Sequence, residues 1–122
     1  MKSYKSIKGF TLVEIMIVVA IIGILIAIAV PGFVKARTQS RTKACQENLT
    51  KIDGAKEQWA LENNKAPGAA CVISDIYDST GASYLKSNPQ CPAAGSTGYT
   101  VNAVGTDPAC PVVAANATHV MP

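Results

Sequence analysis

Residues 9–31 read GFTLVEIMIVVAIIGILIAIAVP. Between Phe10 and Val30, eighteen of the 21 residues are apolar, two are small, and one, Glu14, is acidic. A helix of about 20 residues at ~1.5 Å per residue matches the ~30 Å hydrocarbon core of a bilayer, so this stretch predicts a membrane-spanning helix. A charged side chain costs something like ~2.5–3.5 kcal/mol at mid-bilayer. The carboxylate of Glu14 therefore requires an explanation.

The net charge of +3 is confined to the start of the chain. Lys2, Lys5 and Lys8 lie within the first nine residues, which contain no acid, and the rest of the chain balances eight basic against eight acidic residues. This asymmetry predicts a basic leader over residues 1–9 on the cytoplasmic side of a membrane. Because there is no basic patch with interleaved aromatic residues, we expect no specific nucleic-acid partner.

Several classes of segment fit residues 1–30. A secretory signal peptide would explain the small residues at 27–29, although its apolar core usually has about 7–15 residues. A plain single-pass anchor would tolerate Glu14 near the interface, whereas a lipoprotein signal fails because no cysteine lies near the run. In a specialised segment, a cut after Gly9 would leave a cationic α-amino group on Phe10. That amine could be the counter-ion of Glu14 in a neighbouring chain.

The chain beyond the apolar run keeps a helical pattern. Pro31 predicts a kink, and residues 33–63 form an amphipathic half-helix that ends at the stop signals Asn63-Asn64 and Pro67-Gly68. One narrow apolar stripe runs along this half, with Trp59 expected in the core under a sheet. Its members are Cys45, Leu49, Ile52 and Trp59, with Ala55 filling the gap.

Residues 64–122 are rich in small and turn-forming residues and predict a short helical turn or loop and a small antiparallel sheet packed on the stripe. The β-prone pieces are Cys71–Ile73, Tyr99–Val101 and Pro111–Val113. We expect a loose tail with a solvated His119. The predicted fold class is α+β, with segments 1–9, 10–32, 33–63 and 64–122.

Four cysteines, Cys45, Cys71, Cys91 and Cys110, all follow the apolar run. An even count in a small domain beyond a membrane segment suggests disulfides in an exported compartment. There is no C-x-x-C and only one histidine, so the spacing predicts neither a metal site nor a cofactor. Without a nucleophile motif or a metal cluster, we expect no enzyme activity.

Four cysteines allow three connectivities. Cys91 and Cys110 flank a stretch with turn signals that can fold back as a hairpin, and a bridge across a loop of this size stabilises by ~3 kcal/mol in the chain-entropy model. A second bridge from Cys45 to Cys71 is just within reach of an extended chain. Cys45 can equally be a buried free thiol.

The leader ending in Gly9, followed by FTLVEIMIVVAIIGILIAIAVPGF, resembles the N-terminus of type IV prepilins and type II secretion pseudopilins over about 25 residues. Gly9, Phe10, Glu14 and Pro31 fall where that family's motif places them. The resemblance implies the pilin fold, cleavage between Gly9 and Phe10 by the prepilin peptidase, and N-methylation of Phe10. It also implies that Glu14 docks each subunit into a growing filament. A cysteine pair near the C-terminus is also similar to many pilins.

Two departures separate the chain from the major pseudopilins. The segment LENNKAPGAA lacks their aspartate-Gly-x-Tyr-Pro-Thr type of stretch, and Asp75, Asp78 and Asp107 lack the spacing of their calcium loop. The resemblance therefore favours a type IV pilus-like subunit over a pseudopilin of a secretion or competence system. The alternative of another class is a membrane-anchored or secreted binding domain without an assembly role.

The resemblance also implies where the chain acts. The apolar half-helix would hold the subunit in the bacterial inner membrane as a single span, and an assembly platform in that membrane would add it to a helical homo-oligomer. The filament would then be extracellular or periplasmic, with the apolar helices bundled together.

Overall fold

The computed structural model describes residues 8–95, 97–112 and 119–122. Its elements in chain order are α1 (Leu12–Glu62), α2 (Ile73–Ile76), β1 (Gln90–Cys91) and β2 (Thr97–Gly98). A long N-terminal helix followed by a small antiparallel sheet confirms the predicted α+β fold. The chain divides into two compact units, Met1–Arg37 and Thr38–Pro122. The leader up to residue 7, Val113 and the tail residues 114–118 lie outside the described residues.

The first unit contains the part of α1 that carries the apolar run. The helix continues through Pro31, which lacks the N–H group of an ordinary helical residue; the kink there stays a prediction. The large apolar side chains of this unit are exposed, from 49% at Ile22 to 85% at Phe10. Within the described residues, α1 is the one helix long and apolar enough to cross a membrane, with a mean hydropathy of 3.1 in its most apolar window.

The core of the second unit is built on one face of α1. Cys45, Leu49 and Ile52 are fully buried there, and Ala55 is nearly so. Trp59, which is expected in the core, is only partly buried and packs against the outside of the core. The apolar partners that complete the core come from the chain after the helix: Cys71, Ile76, Leu85, Cys91, Tyr99, Val101 and Cys110.

A lysine is also buried on this face of α1. The side chain of Lys56 is fully buried; its Nζ lies 3.1 Å from Oδ1 of Asp53 and donates a hydrogen bond to the carbonyl oxygen of Thr106. A buried ammonium group is tolerated only when such partners replace its water. Lys56 therefore ties the helix to the loop around Thr106.

The helix ends at Glu62, directly before the stop signals Asn63-Asn64. Asn64 adopts the left-handed conformation with φ of 51°, which asparagine tolerates better than most residues. The N–H of Lys65 donates to the carbonyl of Ala60 at 2.8 Å, and that of Asn64 to Leu61 at 3.4 Å. These two bonds form a Schellman motif, which satisfies the last carbonyls of the helix.

The sheet is smaller than predicted and lies elsewhere. Strands β1 and β2 pair antiparallel, with Gln90 opposite Gly98 and Cys91 opposite Thr97. Beyond them, Thr100 and Ala109 form an isolated bridge whose two N–H···O distances are 2.9 and 2.8 Å. The chain thus folds back on itself twice: first between β1 and β2, and again between Thr100 and Ala109. Cys110 directly follows this second fold-back.

Two of the predicted β-pieces are wrong in the described residues. Cys71–Ile73 forms no strand because Ile73 begins α2, where the carboxylate of Asp75 accepts the N–H of Val72 at 2.9 Å. Residues 111–112 lie in a turn. Tyr99–Val101 contributes only the bridge at Thr100. Short β-prone pieces fail here because such propensities depend on having a neighbouring strand to pair with.

Candidate functional site

The predicted cleavage site lies just before α1. Gly9 and Phe10 are outside the helix and exposed, with Phe10 at 85%. A Cβ built on Gly9 would meet nothing within 4 Å. The peptide bond between the two residues is therefore open to an enzyme, and the absence of a side chain at Gly9 is not dictated by packing within the described residues.

Glu14 caps the helix that it helps to begin. Its Oε2 accepts the backbone N–H of Thr11 at 2.7 Å, while the hydroxyl of Thr11 accepts the N–H of Glu14 at 3.3 Å. This reciprocal pair is a capping box, and it places a negative charge at the positive end of the helix dipole. Among the described residues Glu14 has no ion-pair partner. The carboxylate is thus held one residue from Phe10 and remains free to attract a cation.

Three thiols and one imidazole meet inside the second unit. The ligand atoms of Cys45, Cys91, Cys110 and His119 all lie within 4.8 Å of one another, and all four residues are buried. Sγ of Cys110 lies 2.9 Å from that of Cys45, 3.4 Å from that of Cys91, and 3.8 Å from Nδ1 of His119. Helix α1, strand β1, the end of the second fold-back and the tail each contribute one of these residues.

The prediction that His119 is solvated is wrong. Its side chain is 2% exposed, and Nε2 lies 3.2 Å from the hydroxyl of Thr42. The described end of the tail is therefore bound to α1, because the imidazole finds a polar partner on that helix. Position alone suggested a loose end, and a single histidine carries no periodic signal that would have indicated burial.

The surroundings of the thiols shift their acidities. Burial raises the pKa of Cys110 to about 12. Burial also acts to raise the pKa of Cys91, but hydrogen bonds from the N–H groups of Ala93 and Ala94 and from Cys110 outweigh it, so this pKa is lowered. A thiol that accepts backbone N–H bonds is more easily kept as a thiolate.

Only one of the two predicted cysteine pairs, Cys91 and Cys110, lies wholly within this cluster. The Cys91 and Cys110 sulfurs lie 3.4 Å apart, but the Cys45 sulfur lies closer to that of Cys110, at 2.9 Å. Cys71 lies outside this group, and burial together with the nearby carboxylate of Asp75 raises its pKa. All four cysteines are free thiols in this structure. Both disulfides remain predictions, and the pair Cys45–Cys71 is not among the sulfurs that converge.

The comparisons with known proteins agree with the N-terminal pattern. Residues 4–30 match the prokaryotic N-terminal methylation motif. The chain is 34% identical over 104 residues to the type IV wide pilus major component PilA4 of Thermus thermophilus, a match covering 80% of this chain and 79% of that protein. This chain belongs to the type IV pilin family.

Other relatives match about half of this pilin. It is 45% identical over 58 residues to the type IV major pilin protein PilA of Myxococcus xanthus, covering 48% of this chain and 26% of that protein. It is 32% identical over 60 residues to the type II secretion system core protein G of Klebsiella pneumoniae, covering 49% of this chain and 43% of that protein. The chain therefore spans less than half the length of these two relatives. No solved structure matches it significantly.

Sequence reasoning missed two features of this pilin. The capping box of Thr11 and Glu14 could have been found, because Thr-x-x-Glu before an apolar run is its usual signature. The convergence of Cys45, Cys91, Cys110 and His119 could not, since these residues are far apart in sequence and only long-range folding brings them together.

Proposed function

We propose that this chain is a structural subunit of a type IV pilus-like filament, without enzymatic activity. The match to the wide pilus component over 79% of its length is the observation that carries the proposal. The exposed apolar surface of the first unit supports it. Such a surface needs lipid or other helices to cover it, and a subunit that moves from membrane to filament meets both.

The N-terminal geometry supports processing at Gly9 by the prepilin peptidase. The bond after Gly9 is exposed and lies outside the helix. Cleavage creates the Phe10 amine, and the methylation motif matches this segment. The capping box holds Glu14 near that terminus, which supports an ion pair between the carboxylate of one subunit and the Phe10 amine of its neighbour.

The site of assembly follows from the same helix. Before assembly, α1 anchors the subunit in the inner membrane, where the peptidase and an assembly platform act on it. Afterwards the apolar helices bundle in a homo-oligomer outside that membrane. The similarity to a type II secretion core protein favours a second candidate, a pseudopilin, which would use the same processing and assembly.

Mass spectrometry of the mature N-terminus tests the processing. We expect a chain that begins at Phe10 with an added methyl group. Gly9→Val should leave the precursor uncut, whereas Gly32→Val, also at an uncrowded glycine, should be cut normally. A mature chain beginning at Val30 would identify a secretory signal peptide and reject the proposal.

Isolation of sheared surface filaments tests assembly. We expect this chain as a stoichiometric component of the filaments. If cells lacking it keep their surface filaments but lose secretion, the pseudopilin is the correct member of the family. A processed chain found only as monomers in the membrane or medium would instead indicate a binding domain.

A further inference from the structure

The cluster of Cys45, Cys91, Cys110 and His119 has the composition of a metal centre rather than of a disulfide alone. A disulfide uses two sulfurs, so with three in contact it would leave one buried thiol and a buried imidazole beside it. Cys45 and Cys91 both approach Cys110, and the remaining cysteine, Cys71, lies outside the group. One ion with four ligands would use every member.

The distances are close to those of a tetrahedral site. Zn–S bonds of ~2.3 Å and Zn–N bonds of ~2.0–2.1 Å separate neighbouring sulfurs by about 3.8 Å and a sulfur from a nitrogen by about 3.5 Å. The observed separations around the Cys110 sulfur are 2.9, 3.4 and 3.8 Å. The Cys45 and Cys110 sulfurs need to spread by roughly 1 Å, which side-chain rotation can supply.

The contacts of His119 suit binding through Nδ1. The hydroxyl of Thr42 donates to the carbonyl of Thr38 at 3.1 Å. In the tautomer that carries the ring proton on Nε2, this hydroxyl also accepts from Nε2 of His119, which lies 3.2 Å away. Nδ1 then carries a lone pair and faces the sulfurs. Metal-binding histidines usually have such a partner on the other nitrogen.

From this geometry we propose that Cys45, Cys91, Cys110 and His119 bind one Zn²⁺ ion in a closed structural site within the second unit. Three thiolates and an imidazole form a soft donor set that suits Zn²⁺, and four protein ligands leave no position for a substrate. The ion would join α1, strand β1, the second fold-back and the tail. A disulfide between any two of these sulfurs is the alternative state and excludes the ion.

Metal titration of the full chain in detergent tests the site. The protein is reduced and freed of metal without oxygen, then titrated with Co²⁺ and next with Zn²⁺. We expect the thiolate-to-Co²⁺ charge-transfer absorption and tetrahedral d–d bands to saturate at one ion per chain and to be displaced by Zn²⁺. A folded chain that binds no Co²⁺, or binds it without these bands, would overturn the proposal.

Two matched pairs of variants locate the ion. Cys110→Ser should abolish the absorption, whereas Cys71→Ser, also at a buried cysteine, should retain one ion per chain. Thr42→Val should weaken Zn²⁺ affinity about 10–100-fold through the loss of the histidine's partner. Thr50→Val is its control, because Thr50 makes the same bond to the preceding helical turn, at 3.0 Å to Gln46, without touching His119.

Thr42→Val keeps the test decisive even where Cys110→Ser does not fold, as judged by circular dichroism. Equal affinities of Thr42→Val and Thr50→Val, or loss of the ion in Cys71→Ser, would contradict the site. Native mass spectrometry of protein taken from cells without reduction completes the test. One Zn²⁺ per chain supports the proposal, and a metal-free chain with a disulfide among Cys45, Cys91 and Cys110 rejects it.

Discussion

Both units of the molecule are rich in apolar residues, but only one of them buries these residues by itself. In the first unit the described large apolar side chains are at least 49% exposed. In the second unit Leu49, Ile52 and Ile76 are fully buried. The same helix, α1, supplies apolar residues to both units. Hydrophobicity in the first unit is therefore available for lipid and other subunits, whereas in the second it stabilises the fold.

The two units also differ in the partners of a charged side chain that lies among apolar residues. Lys56 is fully buried and held by Asp53 and Thr106. Glu14 is exposed, and among the described residues its carboxylate accepts a hydrogen bond only from the N–H of Thr11. A charge with protein partners on several sides is structural, whereas one with only a helix cap can still take an opposite charge from another molecule.

The largest expected effect comes from Glu14→Val. If Glu14 pairs with the Phe10 amine as proposed, loss of the carboxylate removes that partner, and we expect processed subunits in the membrane and no filaments. Glu57→Val, the same substitution at another exposed acid of α1, should assemble normally. Electron microscopy of sheared fractions and N-terminal mass spectrometry measure the two steps. Normal filament yield from Glu14→Val would show that charge pairing is not needed.

A pair of truncations tests the contrast in burial. Ile52→Ala removes a fully buried side chain and should lower the free energy of unfolding by about 2–5 kcal/mol. Ile22→Ala, at a side chain 49% exposed, should change it by less than about 0.5 kcal/mol. Denaturant unfolding of the chain in detergent, followed by the fluorescence of Trp59, measures both. Similar losses in the two variants would contradict the division into units.

These contrasts show which features were accessible from the sequence. The apolar run, the helix end at Asn63-Asn64 and the α+β class follow from local patterns, because one element decides each of them. The strands could not be predicted from local patterns. Gln90–Cys91 and Thr97–Gly98 are only two residues each and depend on pairing with each other.

The burial of Lys56 and His119 shows the same limit. Lysine is ordinarily exposed, and histidine is intermediate between exposed and buried. Their burial here rests on partners distant in sequence, Thr106 for Lys56 and Thr42 for His119. The cluster of Cys45, Cys91, Cys110 and His119 also forms only by long-range folding. The spacing of these residues along the sequence therefore resembles no metal motif.

The buried lysine provides a smaller test. Lys56→Met keeps the length of the side chain but removes the bonds to Asp53 and Thr106, and we expect a loss of about 1–3 kcal/mol in unfolding free energy. The control is Lys51→Met, which breaks an exposed pair with Glu47 at 3.3 Å and should cost less than about 0.5 kcal/mol. Equal effects would mean that Lys56 contributes through its apolar stem alone.

The smallest effect concerns the exposed loop after α2. Asp78 accepts hydrogen bonds from the hydroxyl of Thr80 and from its N–H at 3.3 Å, and these bonds lower the pKa of its carboxyl. Because the folded pKa is depressed, this contribution to stability is present above the ordinary aspartate pKa. It is lost as the pH falls through the lowered value.

Thr80→Val should therefore return the Asp78 pKa towards that of a free aspartate, as measured by NMR of the carboxyl carbon during an acid titration. Thr100→Val, at another exposed threonine of the second unit, should leave the Asp78 pKa unchanged. Both variants should keep the neutral-pH stability nearly intact, because Asp78 is exposed and screened by solvent. An unaltered Asp78 pKa in Thr80→Val would assign the shift to the backbone of the loop instead of the Thr80 hydroxyl.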